Sequence, residues 1–176
     1  EAEDGIRDYD GTGVQTCALP IYWPRLVQLA WQVHDIEGKL IDVQNYIVKP
    51  EGFDIPYNAA KIHGISTQRA EKEGMPLVEV LEIFMQELEK VKFVVGHNIS
   101  FDNSIVGCEF LRKNMPNLLQ SMPAIDTKDD ATDYCQILGG RGGKFKWPKL
   151  TELHQKLFGE DFAEAHNASA DVEATA

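Results

Sequence analysis

Two short segments of the chain carry residue types that hydrolytic enzymes commonly use. Residues 96–102 (GHNISFD) end in Asp102, and residues 166–171 (HNASAD) begin with His166 and end in Asp171. Aspartate and histidine can hold metal ions and transfer protons. If the chain is helical after His166, Asp171 follows about one turn later, so the histidine and the carboxylate can face one site.

Each of these segments also has a structural interpretation. Asp102 is equally well explained as an acidic residue in the first turn of a helix, where the helix dipole favours it. The pair His166 and Asp171, taken alone, fits two exposed polar residues better than a site, because such spacings arise often by chance. A third carboxylate, Asp126, is best explained in isolation as a helix cap or turn residue.

The elements that must position these residues follow an α/β pattern. Residues 25–34 alternate apolar and polar side chains, which predicts a half-buried strand, and residues 39–48 predict its antiparallel partner after a tight turn. Residues 91–95 (VKFVV) predict a strand buried on both faces, and residues 123–126 predict another short strand.

Helices are predicted between and after these strands. A short helix is expected at residues 58–62, and a longer one begins at Pro76 with the apolar stripe of an amphipathic helix. Ser100 is the predicted N-cap of the next helix, whose apolar face carries Phe101, Ile105, Cys108 and Leu111. Residues 148–158 and 165–176 predict the last two helices. This order favours one α/β domain with a mixed sheet.

Bulk properties set outer limits on function. The 176 residues suffice for one domain with a sizeable core, and no apolar run is long enough to predict a membrane span. The three cysteines have no paired spacing, which argues against a disulfide framework and predicts a cytoplasmic protein. A net charge of −11 argues against nucleic-acid binding by phosphate neutralisation alone, although metal-holding carboxylates also make a nuclease acidic.

Taken together, residues 96–102 and 166–171 resemble the second and third motifs of the DEDDh family of 3′–5′ exonucleases. His97, Asn98, Phe101 and Asp102 match the family's HNxxFD pattern, and His166 stands five positions before Asp171, as in its third motif. Residues 62–65 (IHGI) also resemble a family segment that lies against the terminal nucleotide. This family includes the proofreading epsilon subunit of bacterial DNA polymerase III.

The resemblance implies an RNase H-like mixed sheet flanked by helices and two-metal hydrolysis of nucleic acid from its 3′ end. Asp102 and Asp171 would then be ligands of Mg²⁺ or Mn²⁺, and His166 would be the general base. His63 and Asn98 would lie at the substrate. The implied partner is the 3′ end of single-stranded DNA, with RNA also possible, and association with a DNA polymerase is a further implication.

A basic loop gives a second, weaker signal. Four basic residues, Arg141, Lys144, Lys146 and Lys149, surround the aromatic residues Phe145 and Trp147. Such a mixture suits a single strand, since cations follow phosphates and aromatic rings stack on bases. For Trp147 we favour the alternative, a core residue at the start of a helix, and the lysines fit either interpretation.

The family's first motif, Asp-x-Glu on a central strand, has no convincing match. Asp8 and Asp10 have a similar spacing, but residues 1–7 are too polar for a central strand. Residues 2–8 and 12–21 can be back-translated into the two halves of a common sequencing adapter. We therefore expect residues 1–21 to be non-native, replacing the first, central strand. Residues 22–176 would be an exonuclease domain, truncated at its C-terminus, whose activity is impaired.

Two other functions are consistent with the pattern. One is a catalytically dead nucleic-acid-binding module of the same fold, although such a module has no need of Asp102, His166 and Asp171 together. The other is a small-molecule α/β enzyme, which a glycine-rich phosphate loop would support. Residues 139–143 are glycine-rich but are not followed by the Gly-Lys-Ser/Thr of such a loop.

Overall fold

A computed structural model of the chain describes residues 23–160 and 168–176. Several sequence predictions fall outside these residues. They are the predicted non-native segment at residues 1–21, its acidic pair Asp8 and Asp10, and the predicted general base His166.

The described part of the chain opens with the predicted β-hairpin. Strand β1 (Gln28–His34) pairs antiparallel with β2 (Leu40–Ile47), and Gln28 lies opposite Ile47. The turn between them is closed by Asp35, whose carboxylate accepts hydrogen bonds from the backbone N–H groups of Glu37 (3.0 Å) and Lys39 (2.8 Å). Gly38 adopts a φ of 81°, which glycine tolerates without strain. The prediction of this hairpin is confirmed.

Eight α-helices and two further strands follow in the described residues. In chain order they are α1 (Tyr57–His63), α2 (Thr67–Glu73), α3 (Leu77–Leu88), β3 (Val94–Gly96), α4 (Ile99–Arg112), β4 (Ala124–Asp126), α5 (Thr127–Asp130), α6 (Thr132–Cys135), α7 (Leu150–Phe158) and α8 (Ala168–Thr175).

Strands β3 and β4 form a second, separate pair. They run parallel, with Gly96 opposite Asp126, and none of the strands in residues 23–160 and 168–176 joins this pair to the hairpin. Burial of residues 91–95 on both faces was predicted and is wrong. Val94 packs against the core, whereas Phe93 and Val95, which alternate to the other face, are exposed. Among the described residues, the core therefore covers one face of β3.

The main core lies between the hairpin end and two helices. Its buried residues come from the chain before β1 and after β2, from α3 and α4, and from the turn after α4: Leu26, Val48, Leu77, Val80, Leu81, Leu88, Val106, Phe110 and Leu119. The apolar stripe predicted for α3 supplies four of these, which confirms that helix. Helix α4 therefore has a fixed position, and it is the helix that carries Asp102.

The buried face of α4 matches the predicted face only in part, since Cys108 is buried and Ile105 packs against the core. Phe101 and Leu111 are exposed, whereas Glu109 is fully buried at 0 % exposure. The Glu109 carboxylate is paired with Arg25 and Arg112, each at 2.9 Å, and accepts the backbone N–H of Leu26 at 3.0 Å. A buried carboxylate requires such partners. Arg25 and Arg112 are themselves partly exposed, and their charges allow Glu109 to be buried with the rest of the Val106–Phe110 segment.

Candidate active site

Asp102 lies in the first turn of α4, directly after the carboxyl end of β3. The turn between strand and helix depends on Asn98, which caps the helix in a left-handed conformation with φ of 65°. The prediction of Ser100 as N-cap is therefore wrong. Asparagine is one of the few residues besides glycine that adopts this conformation readily. The sharp turn at Asn98 places Asp102 beside the end of the sheet.

The loop at Asn98 is fastened to the neighbouring strand. Its backbone N–H donates to Asp126 Oδ1 at 2.8 Å, and its side-chain Oδ1 accepts from Lys128 Nζ at 2.8 Å. Asn98 thus precedes Asp102 by one turn and keeps its side chain in a protein hydrogen bond.

Asp126 ends β4 and caps α5. Its Oδ1 accepts the backbone N–H of Lys128 at 3.0 Å as well as that of Asn98. The interpretation of Asp126 as a cap is therefore confirmed. The parallel pairing of β3 and β4 also brings this carboxylate beside Asp102, a proximity that the isolated segment did not predict.

Asp171 lies in the first turn of α8. This helix packs against β1 and also contacts β3 and α7. At its start, the backbone N–H of Ala168 donates to Gln28 Oε1 at 3.4 Å, and Gln28 Nε2 donates to Asn45 Oδ1 at 2.9 Å. The hairpin therefore holds the beginning of the helix that carries Asp171.

The structure brings Asp102 and Asp171 into electrostatic contact although they are distant in sequence. Asp102 is open to solvent on one side, but surrounding protein atoms partly desolvate its carboxyl group. The pKa of Asp102 is raised to about 6, mainly by this desolvation and in smaller part by the negative charges of Asp126 and Asp171, against a lowering by a backbone hydrogen bond. Three carboxylates from α4, β4 and α8 thus share one region of negative potential.

His63 lies on none of the elements that carry Asp102, Asp126 and Asp171. It ends α1 and lines a cavity of about 340 Å³ together with Gln28, Asn45, Tyr46, Ile47, Ile65, Arg69, Glu73 and Met75. Burial lowers the pKa of His63, and its Nδ1 accepts the backbone N–H of Ile65 at 3.2 Å, so the ring is neutral near pH 7. Of the described residues lining this cavity, Gln28 connects it to the start of α8.

The donor chemistry at Asp102 and Asp171 suits a hard divalent cation, because carboxylate oxygens are the ligands that Mg²⁺ and Mn²⁺ prefer. Within residues 23–160 and 168–176, however, no three His, Cys, Asp or Glu side chains are grouped closely enough to hold a metal ion. The carboxylates of Asp102 and Asp171 therefore suit a divalent cation chemically, but the described residues supply only part of its ligand set.

Trp147 is exposed, so the preference for a core position was wrong. It is 64 % exposed, and the buried position belongs to its neighbour Pro148. The carbonyl oxygen of Pro148 accepts a hydrogen bond from His97 Nε2 at 2.9 Å. This contact draws Pro148 inward at the end of β3 and directs the adjacent indole outward.

Comparison with known families decides the assignment. A family model described as an exonuclease domain, RNase_T, matches residues 19–176. The chain belongs to this exonuclease family. As a family member, it carries the two sequence motifs described above on a mixed α/β fold.

Sequence relatives of the chain include bacterial DNA polymerases. The chain is 29% identical over 163 residues to DNA polymerase III PolC-type of Streptococcus thermophilus, covering 92% of this chain and 10% of that protein. It is 28% identical over 162 residues to the PolC-type polymerase of Streptococcus pneumoniae, again covering 92% of this chain and 10% of that protein. The chain thus spans about a tenth of the length of these relatives.

Solved structures with a similar fold include E. coli exonuclease I. Its complex with a dT13 oligonucleotide matches with a TM-score of 0.72 and 23% identity, covering 89% of this chain and 36% of that one. Its zinc-bound complex with single-stranded DNA matches with a TM-score of 0.70 and 23% identity, covering 86% and 35%. These matches show the RNase H-like fold that the resemblance implied. None of the helices in the described residues is long and apolar enough to cross a membrane.

Proposed function

We propose that this chain is a 3′–5′ exonuclease that hydrolyses phosphodiester bonds by a two-metal mechanism, and that its activity is impaired in the present sequence. The observation that carries the proposal is the electrostatic interaction between Asp102 and Asp171 in an exonuclease-family fold. Each carboxylate belongs to a different motif, and each lies in the first turn of its helix.

Asp102 and Asp171 would hold Mg²⁺ or Mn²⁺, which stabilise charge on the attacking and leaving oxygens of a phosphodiester when bound. The raised pKa of Asp102, caused mainly by desolvation and also by the charges of Asp126 and Asp171, supports this role, because a bound cation would stabilise a carboxylate that is costly to ionise there. Asp126 adds negative charge while its Oδ1 remains committed to two backbone N–H groups.

The remaining roles come from the motif resemblance. His166 would accept the proton of the attacking water, as a side chain titrating near neutral pH can do. Asn98 would shape the pocket beside Asp102, since its side chain is held by Lys128. His63 would contact the substrate from its cavity as a neutral ring.

Impairment is proposed because too few ligands are available. Asp102 and Asp171 alone should not hold two close divalent ions against the repulsion between the ions. The family's first motif supplies the missing carboxylates, and residues 1–21 are proposed to be non-native. Losing one metal ion removes several kcal/mol of transition-state stabilisation, of which each ~1.4 kcal/mol is a factor of ten in rate.

The proposed substrate is the 3′ end of single-stranded DNA. The oligonucleotide complexes of E. coli exonuclease I support this choice. RNA is a second possible substrate, because it contains the same phosphodiester bond. The PolC-type relatives support association with a DNA polymerase. We propose a cytoplasmic location for such a protein.

The proposal is tested with a repaired chain, in which residues 1–21 are replaced by an apolar strand ending in Asp-x-Glu-x-Thr-Gly. The substrate is single-stranded DNA labelled at its 5′ end. With Mg²⁺ or Mn²⁺ the label should pass through a ladder of products shortened from the 3′ end, and a chelator should stop the reaction. Asp102→Asn should abolish it, whereas the exposed control Asp133→Asn should not.

Two results would contradict the proposal. Immediate release of a labelled mononucleotide would show attack from the 5′ end. Binding of the DNA without metal-dependent shortening would favour the catalytically dead binding module.

A further inference from the structure

The exposed indole of Trp147 is held in place from two sides. On one face, Lys128 Nζ lies 4.3 Å from the ring centroid, a cation–π contact. Along the backbone, the next residue, Pro148, is fixed by the hydrogen bond from His97. An aromatic side chain that remains 64 % exposed while its position is fixed in this way loses little freedom when a partner binds it.

Lys128 itself is firmly placed. Its side chain is 15% exposed, and its Nζ donates to Asn98 Oδ1 at 2.8 Å and lies 3.9 Å from Asp129 Oδ1. The lysine therefore supports the indole from a position fixed by the loop that precedes Asp102. This arrangement leaves the opposite face of the indole as the surface that a ligand can cover.

The indole also lies close to the carboxylate region. Lys128 joins Trp147 to Asn98, and the backbone N–H of Asn98 donates to Asp126, whose charge acts on Asp102. These successive contacts place Trp147 beside the proposed active site, where a bound strand would pass.

The charge around Trp147 indicates the chemistry of its partner. Residues 141–149 contain four basic residues and no acidic one, in a chain of net charge −11. Lys146 pairs with Glu152 at 2.7 Å. In the part of the chain that the structure describes, no ion pair involves Arg141, Lys144 or Lys149. A flat exposed ring among cations matches an unpaired base flanked by phosphates.

We propose that Trp147 stacks on a base of the single strand whose 3′ end enters the carboxylate region, with Lys128 holding the indole for that contact. This inference rests on the proposed function, since it assumes a nucleic-acid strand at Asp102. The cations of residues 141–149 would face the phosphates of the same strand. Stacking of this kind tolerates every base, because each base has a π face.

The test measures binding of fluorescently labelled single-stranded DNA to the chain as it stands. Binding is monitored by fluorescence anisotropy, with Ca²⁺ in place of Mg²⁺ so that the strand stays intact. A set of oligonucleotides carries one abasic position, placed at each of the last several nucleotides in turn. Removing the base that Trp147 contacts should weaken binding about tenfold, within the range known for stacked bases. Trp147→Ala should bind the intact strand and that abasic strand equally well. Trp147→Phe should retain most of the wild-type preference for the intact strand over the abasic one.

The matched control is Phe158→Ala, because Phe158 is equally exposed at 64 % and lies on α7. It should keep the wild-type preference for the intact strand. The inference is overturned if the wild type binds no oligonucleotide, if it shows no abasic preference, or if Trp147→Ala keeps that preference. A Trp147-dependent preference without hydrolysis by the repaired chain would contradict the proposed function alone. Hydrolysis without that preference would contradict the stacking alone.

Discussion

Replacing Glu109 by alanine should destabilise the fold strongly, because this carboxylate is buried between two arginines. Its removal leaves the guanidinium groups of Arg25 and Arg112 without their shared partner and the backbone N–H of Leu26 without its acceptor. Breaking a buried ion pair by removing one partner costs about 3–5 kcal/mol. For a chain of this size, that loss should lower the midpoint of thermal unfolding by roughly 6–20 °C.

Chemical denaturation followed by circular dichroism measures the loss directly. Glu109→Gln should lose less than Glu109→Ala, since the amide oxygen can still accept the Leu26 N–H. The control Glu82→Ala changes an exposed glutamate on α3 and should stay within about 0.5 kcal/mol of the wild type. If Glu109→Ala unfolds at the same denaturant concentration as Glu82→Ala, the argument that this ion pair fixes α4 is wrong.

Three further outcomes are expected. In the metal-free protein, Asp126→Asn should lower the pKa of Asp102 from about 6, since one of the charges that raise it is gone. Carboxyl NMR titration measures this pKa, and an unchanged value would show that the charge of Asp126 does not act on Asp102. Because the folded-state pKa of Asp102 lies above its ordinary value of 3.8, this group favours the folded state at low pH; that contribution should be lost as pH rises from about 4 to about 6. Denaturation of the wild type and Asp102→Asn across that window should show the difference. Gly74→Ala should destabilise the fold by about 1–3 kcal/mol, as its Cβ would lie 2.2 Å from the Ala70 carbonyl oxygen and 2.7 Å from the Lys49 nitrogen; an unchanged urea midpoint would refute the clash.

The elements that sequence predicted well are those whose apolar pattern faces one neighbour. The alternation in β1 and the stripe of α3 each match a face that packs on the core. Helix α2 was missed because its sequence, TQRAEKE, has no such stripe, and only Ala70 is buried. Short polar helices of this kind depend on capping, here by Ser66, whose hydroxyl accepts the Arg69 N–H at 3.2 Å.

The errors arise where tertiary contacts override local pattern. A charged residue at position 109 predicts solvent exposure, and only the two arginines make its burial possible. The sequence favours Trp147 as a core residue at the start of a helix, yet Pro148 takes the inner position and its carbonyl oxygen accepts a hydrogen bond from His97. In both cases a partner distant in sequence decides which side chain is buried.

In the candidate site, too, some features follow from local sequence and others depend on residues that are distant in the chain. Motif spacing singled out Asp102 and Asp171, and the structure places them in one region of negative potential. Taken in isolation, Asp126 is best explained by its sequence as a cap or turn residue, because its proximity to Asp102 depends on the parallel register of β4 against β3. This pairing joins Gly96 with Asp126, which are far apart in the sequence, so the isolated segment around Asp126 does not indicate it.

The most direct test of the account compares the chain as it stands with the repaired chain in one assay. Both are given end-labelled single-stranded DNA with Mn²⁺ or Mg²⁺, and release of mononucleotides from the 3′ end is followed over time. The repaired chain should digest the DNA, and a further His166→Ala change should remove most of that activity by removing the general base. The unrepaired chain should be at least about a hundredfold slower than the repaired one, because it loses ~3 kcal/mol or more of transition-state stabilisation. If the unrepaired chain is as fast as the repaired one, Asp8 and Asp10 serve as a working first motif. If the repaired chain releases nothing, the assignment of exonuclease activity is wrong.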